Sequence, residues 1–145
     1  MAESVSDNID VKASADELFD VAADFEKYPE WNANIKRVEI KETDEDGRAT
    51  SVWFEVDAKV RTITYTLGYD YSDAPTGFSW QLIDGDVKEL SGSYVFDEFD
   101  DVTEVRYETR IDPGFPIPGF LKRQAEKQIV KGALADLKKR VESQS

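Results

Sequence analysis

Arg123 and Glu126 are the residues whose types and spacing most directly suggest chemistry. They stand three residues apart in a stretch of helical periodicity, so their side chains would share one helix face and could form an ion pair. We favour an exposed pair, which would add little stability. Over a cavity the same pair would form its polar end, and a desolvated Glu126 could act as a general base. We assign no catalytic residue and keep Glu126 as the candidate.

The absence of two residue types narrows the chemistry further. The chain contains no histidine and no cysteine. This excludes disulfides, thiol nucleophiles, serine–histidine catalysis, and metal sites built on His or Cys. Acid–base chemistry must therefore use Asp, Glu, Lys or Tyr. The acidic turns at 44–46 and 97–101 lack the spaced ligands of a calcium loop, so we predict no metal and no cofactor.

The length and charge of the chain limit its class and its partners. The 145 residues suffice for a single domain, 1–145. The net charge of −13 argues against binding to DNA or RNA, whose phosphates would be repelled. The N-terminus is acidic and polar, unlike a signal peptide, and no run approaches the ~20 apolar residues of a membrane span. We expect a cytoplasmic protein without stable membrane insertion.

Positive charge is concentrated near the C-terminus. From residue 115 onward seven basic residues stand against three acidic ones, a net charge of +4, so the first 114 residues carry −17. We favour a basic helix that docks against an acidic body. The alternative is a surface for anionic lipid or RNA.

Alternating apolar and polar residues predict seven strands. Two short helices follow the first strand: one begins after the N-cap Ser14, with Glu17 completing a capping box, and the other covers 25–31. Turns are predicted at 44–47, 74–77 and 84–86. The predicted strands cover 5–11, 35–41, 48–58, 60–71, 78–83, 87–96 and 102–111.

The final helix, predicted from Pro116 to about Glu142, has two different apolar faces. The regular face of its rear half consists of Val130, Leu134, Leu137 and Val141. The stripe of its front half consists of Leu121, Ala125, Ile129 and Gly132. Continued forward, the rear face would carry Arg123 and Glu126. Either the helix bends near Gly132, or a charged pair occupies core positions.

These elements predict an α+β fold, in which a curved antiparallel sheet of about seven strands wraps around the long C-terminal helix. Strands joined by short turns favour a meander, and its apolar face needs the helix as a cover. A space left between sheet and helix would form a ligand cavity.

Large side chains of the concave sheet face are the candidate ligand contacts, although ordinary core packing would account for about half of them. We add Arg61, which could instead extend into solvent, the Arg123/Glu126 pair, and two residues of the apolar loop and helix start, Phe115 and Phe120. The sheet candidates are Phe54, Ile63, Tyr65, Leu67, Tyr69, Trp80, Leu82, Tyr94, Phe96 and Tyr107.

Four stretches together form a recognisable pattern: IDV at 9–11 with ADELFDV at 15–21, DFEKYPEW at 24–31, GSYVF at 92–96, and LADLKKRVE at 134–142. This pattern resembles the START-like, helix-grip (SRPBCC) superfamily, in particular its bacterial polyketide cyclase/dehydrase-like and coenzyme Q-binding-like branch. The resemblance spans nearly the whole chain and implies a helix-grip fold around an apolar cavity.

The resemblance implies three alternative functions. The first is binding or transport of a small hydrophobic ligand, such as a lipid, an isoprenoid quinone or an aromatic polyketide. The second is an enzyme of cyclase or dehydratase type that uses a carboxylate or tyrosine as acid–base group. The third is a ribosome-association-type interaction protein that uses the basic helix face. A homodimer contact through the outward-facing Trp53 is a further alternative.

Overall fold

The computed structural model describes residues 4–57, 61–114, 116 and 118–143. The candidate Phe115 lies outside the described residues. The helices are α1 (Ala15–Ala22), a 3-10 turn (Phe25–Lys27), α2 (Tyr28–Trp31) and α3 (Gly119–Ser143). The strands are β1 (Ser4–Val11), β2 (Ile35–Thr43), β3 (Ala49–Asp57), β4 (Thr62–Asp70), β5 (Gly77–Gly85), β6 (Glu89–Phe99) and β7 (Val102–Asp112).

The strands form one antiparallel sheet in the order β1-β7-β6-β5-β4-β3-β2. Every neighbouring pair from β2 to β7 is consecutive in the chain, as expected for strands that short turns connect. β1 closes the other edge by pairing with β7, with Val11 opposite Thr103. The sheet curves around the rear half of α3, which contacts β1 and β7. The predicted α+β helix-grip fold is confirmed.

The short helices close one end of the sheet. Ser14 caps α1, since its hydroxyl accepts a hydrogen bond from the Glu17 backbone N–H at 3.2 Å. The helix buries Leu18, Phe19 and Ala22. The Tyr28 hydroxyl of α2 donates to the Ala22 carbonyl and ties the two helices together.

α3 is one continuous helix whose halves have different environments. Val130, Leu134, Leu137 and Val141 are at most 2% exposed, as the rear-face periodicity predicts. The front half instead exposes three large apolar side chains, those of Phe120, Leu121 and Ile129. None of the described helices combines the length and the hydropathy that crossing a membrane would require.

The connection between the paired strands β5 and β6 lies at 86–88, not at the predicted turn 84–86. β5 continues to Gly85, which pairs with Tyr65 of β4, and the Asp86 carboxylate accepts the Thr64 backbone N–H at 2.9 Å. Gly85 has a φ of +146° and lies so close to β4 that a Cβ would approach the Cα of Tyr65 to 2.5 Å. The Asp-Gly signal therefore marks a close approach of backbones, not a tight turn.

Candidate functional site

A cavity of about 360 Å³ lies between the concave face of the sheet and the front half of α3. Its walls are mostly apolar and aromatic, because alternate residues of β3, β4, β5, β6 and β7 point towards the helix. Nine of the candidates predicted from the sequence line it: Phe54, Ile63, Tyr65, Leu67, Tyr69, Trp80, Tyr94, Tyr107 and Glu126.

Five other candidates lie away from the cavity wall. Phe96 is 2% exposed and stacks on Tyr94 within the core, with ring centroids 5.7 Å apart. Leu82 is half-buried and packs against the core. Arg61 is exposed just before β4, and both Phe120 and Arg123 are exposed on the first turns of α3.

Several lining residues were not among the sequence candidates. The alternation that identified Phe54 and Tyr107 also reaches Val56 and Ile111, and the front-half stripe of α3 supplies Ala125 and Ile129. Periodicity therefore carried a signal for these four. Alternation likewise reaches Leu90, on the face of Tyr94, and Thr109, between Tyr107 and Ile111. Periodicity gives no comparable signal for the other lining residues, which are Tyr28, Asn32, Asn34, Ile35, Asp57, Val87, Pro113, Lys122, Gln128 and Ala133.

Aromatic rings pack against one another at tilted and T-shaped angles along the cavity wall. The Trp80 ring lies 5.9 Å from Tyr69, 5.4 Å from Tyr94 and 5.8 Å from Tyr107. Tyr69 also packs on Phe25, with centroids 4.4 Å apart. Such ring pairs fix one another's orientation and give the wall a defined shape.

Three tyrosines of the cavity wall have side-chain hydroxyls that are available to a ligand. Within the described part of the chain, no hydrogen bond joins the hydroxyls of Tyr65, Tyr69 or Tyr94 to another residue. Burial raises the pKa of all three hydroxyls well above the usual value, and it raises the pKa of Tyr107 to about 12, against the opposing effect of a Thr109 hydrogen bond. These phenols stay protonated at neutral pH. They can donate hydrogen bonds to a ligand but cannot serve as general bases there.

Glu126 provides the buried charge of the cavity. Its side chain is 5% exposed, and its Oε1 atom lies 3.6 Å from the Lys122 ammonium one turn earlier. The partner of Glu126 is therefore Lys122 and not Arg123, and the favoured interpretation of an exposed pair is wrong. α3 buries Glu126 because it continues the rear apolar face, so the carboxylate occupies a core position above the cavity.

The second carboxylate oxygen of Glu126 lacks a hydrogen-bond partner in the part of the chain that the structure describes. Oε2 is buried without a hydrogen bond to any described residue, a condition it shares only with Trp31 Nε1 within the same described ranges. Buried polar atoms are rarely left in this state in folded proteins. The cavity therefore contains an acceptor that no described side chain satisfies, together with tyrosine donors that have no partner among the same residues.

A wider cleft of about 760 Å³ lies beside α1 and opens more broadly to solvent. Its lining includes Asp16, Asp20, Asp24 and Arg48, and the Arg48 guanidinium stacks 5.3 Å above the Phe19 ring. These charged walls do not suit an apolar ligand. No group of three metal-binding side chains occurs among the residues that the structure describes.

The basic residues of α3 fall into two groups. Towards its end, Lys138 donates to the Asp10 carbonyl at 2.7 Å and Arg140 pairs with Glu30 at 3.0 Å, so these cations dock on the acidic body. Lys127 and Lys131 of the front half are exposed. A partner for this front half stays a prediction.

Solved structures with the same fold cover nearly the whole chain. A START superfamily protein from Mycobacterium smegmatis matches with a TM-score of 0.90 at 23% identity, covering 98% of this chain and 99% of its own. The Zhui aromatase/cyclase from a Streptomyces species gives 0.79 at 19%, covering 98% and 94%. A STAR-related lipid transfer protein from Xanthomonas axonopodis gives 0.72 at 16%, covering 96% and 85%.

The family comparison rests on sequence instead. No curated protein sequence matches the chain significantly. Residues 11–138 match the family described as polyketide cyclase/dehydrase and lipid transport. This range includes strands β2 to β7, helices α1 and α2, and most of α3. The chain therefore belongs to the polyketide cyclase/dehydrase and lipid-transport family and has the helix-grip fold of the START-like proteins.

Proposed function

We propose that this protein binds a small hydrophobic ligand in the cavity between its sheet and α3. The observation that carries the proposal is the cavity itself, about 360 Å³ enclosed mostly by apolar and aromatic side chains. This volume lies within the ~300–1,000 Å³ typical of small-molecule sites. Transfer of apolar ligand surface from water would drive binding at about 25 cal/mol per Å², before entropic costs.

Two further observations support ligand binding. The front half of α3 exposes apolar side chains that the fold does not use, and Ile129 among them lines the cavity. Family members of this fold include proteins named for lipid transfer and for aromatase/cyclase activity, so a lipid, a quinone or an aromatic polyketide would each suit the walls.

Native mass spectrometry on the purified protein, followed by organic extraction, tests the proposal. We expect a bound apolar molecule of defined mass, or uptake when lipids, quinones and polyketides are added. Ala125→Trp should abolish uptake, because Ala125 is an exposed helix residue on the cavity lining. Ala135→Trp is the matched control, since Ala135 is exposed on the same helix away from the cavity. Failure of all three ligand classes to bind would refute the proposal.

Catalysis of cyclase or dehydratase type is the second candidate, and the buried Glu126 carboxylate favours it. A free Oε2 facing a ligand could accept a proton from it as a general base. Glu126→Gln would then lower turnover of an aromatic polyketide by about 100-fold or more. Ligand affinity should change far less. Equal turnover in both proteins would exclude this mechanism.

A further inference from the structure

We infer that Glu126 makes the cavity selective for neutral ligands that carry a hydroxyl group, and against carboxylic acids; this inference rests on the ligand-binding function proposed above. It starts from the Oε2 atom of Glu126, which is buried and has no hydrogen-bond partner among the described residues. A carboxylate oxygen can only accept hydrogen bonds. A hydrogen-bond donor held within the cavity would satisfy this atom.

The charges around Glu126 favour a neutral donor. The Lys122 ammonium, 3.6 Å from Oε1, already balances the carboxylate. Asp57 is the one other charged side chain in the described lining, and it is exposed at the end of β3. An acidic ligand would bring a second negative charge to Oε2 in a medium of low dielectric constant. A cationic ligand would leave the site with an excess positive charge beside Lys122.

The opposite wall complements this acceptor. The hydroxyls of Tyr65, Tyr69 and Tyr94 remain protonated, and they can donate to a second oxygen of the same ligand. The cavity thus offers one acceptor on α3 and several donors on the sheet. A molecule with a hydroxyl at one end and an apolar or carbonyl-bearing body satisfies both sides.

Matched naphthalene probes test the selectivity by isothermal titration calorimetry. 2-Naphthol carries the donor, 2-methoxynaphthalene lacks it, 2-naphthoate is its anionic counterpart, and 2-(aminomethyl)naphthalene is cationic. We expect 2-naphthol to bind about tenfold or more tightly than 2-methoxynaphthalene, as a hydrogen bond to a charged group provides. Naphthoate should bind more weakly than the methoxy compound.

Glu126→Leu removes the acceptor and fills the site with an apolar side chain. The naphthol preference should disappear in this variant, while 2-methoxynaphthalene binds at least as well as before. Glu126→Gln keeps the shape and a neutral acceptor, and should leave an intermediate preference. Gln124→Leu, an exposed position on the same helix, is the control that should retain the full preference.

The outcomes separate this inference from the proposal beneath it. Binding of 2-methoxynaphthalene with no preference for naphthol, or a preference that survives Glu126→Leu, would overturn the inference and leave the apolar cavity intact. If 2-naphthoate or 2-(aminomethyl)naphthalene bound more tightly than 2-naphthol, the assignment of a neutral ligand would be wrong. If none of the four compounds bound although native mass spectrometry showed a bound ligand, this inference alone would be refuted. If native mass spectrometry also showed none, the ligand-binding function would be refuted as well. Should the leucine variant not fold, the glutamine variant and the wild-type probe series still decide.

Discussion

The buried tyrosine hydroxyls of the cavity make the protein less stable at alkaline pH. Burial raises the pKa of Tyr69, Tyr94 and Tyr107 in the folded state above the unfolded value of about 10. The folded state therefore binds more protons than the unfolded state once the pH exceeds about 10. The tyrosines' contribution to stability is complete below that pH and is lost as the pH rises towards the folded pKa.

We expect the free energy of unfolding to fall above pH 10 by about 1.4 kcal/mol per pH unit for each such tyrosine. Urea unfolding at several pH values measures the slope, and tyrosinate absorbance reports the ionisation directly. Tyr94→Phe should reduce the slope by one tyrosine's share. If the folded protein ionised all its tyrosines near pH 10, the buried environment described for these side chains would be wrong.

Gly92 permits the close approach of Trp80 to the neighbouring strand. A Cβ at this position would lie 2.6 Å from both the Trp80 ring and the Glu108 carbonyl. Gly92→Ala should therefore lower the free energy of unfolding by about 1–3 kcal/mol, as overpacking does. It should also weaken ligand binding, because the displaced Trp80 forms part of the cavity wall.

Gly132→Ala is the matched control for this substitution. A Cβ on Gly132 would meet no atom within 4 Å, and the residue lies in the interior of α3. Alanine should raise the free energy of unfolding by about 0.5–1 kcal/mol through its higher helix propensity. Thermal unfolding of the two variants measures whether each substitution raises or lowers the free energy of unfolding. If Gly92→Ala stabilised the protein, the close packing of Trp80 described above would be wrong.

The two halves of α3 contribute differently to the stability of the fold. Leu137 is fully buried, whereas Leu121 is 47% exposed near the start of the same helix. Leu137→Ala should cost about 2–5 kcal/mol of unfolding free energy, because it leaves a cavity in the core. Leu121→Ala should cost about 0.5 kcal/mol or less. Similar losses for both, measured by urea unfolding, would show that the front half also holds the fold together.

The sequence predicted the elements better than it predicted the site. Apolar and polar residues alternate strictly in β4 from Ile63 to Tyr69. A period of two assigns only one set of side chains to the inward face, so the sequence predicted this face correctly. The final helix was ambiguous, because both a bend at Gly132 and a buried charge fitted the pattern. Only tertiary packing decides that Glu126 is buried with Lys122 beside it. The Asp-Gly pair at 84–85 likewise has two uses, a turn and a close backbone approach, that local sequence cannot distinguish.

The charge of the whole molecule opposes its compactness. The net charge is −13. The ion pairs Lys27–Glu30, Lys41–Glu39 and Arg106–Glu104 are exposed at both partners, where each contributes little. We expect the unfolding temperature to rise from low salt to about 1 M salt, where charges are screened beyond about 3 Å. Calorimetry measures the shift.

A triple variant provides the control for this effect. Asp97→Asn at the end of β6, with Asp100→Asn and Asp101→Asn in the turn to β7, removes three exposed charges from one hairpin. Asn tolerates the positive φ of 55° at residue 100. The salt dependence of this variant should be smaller than that of the wild type. A variant that responds more strongly to salt would indicate that specific ion pairs, and not overall repulsion, govern the stability.

The pairing of β1 with β7 also has a consequence for the order in which the protein folds during synthesis. β1 leaves the ribosome before the other strands, yet its ladder partner β7 follows about a hundred residues later. The rear half of α3, which packs on β1, follows β7. The meander from β2 to β6 can assemble from local pairings, whereas β1 must wait. We expect a chain that ends after β6 to leave the β1 amides open to hydrogen exchange, and their protection in that fragment would contradict this order. β1 would then be the strand that joins the sheet after the other strands have paired.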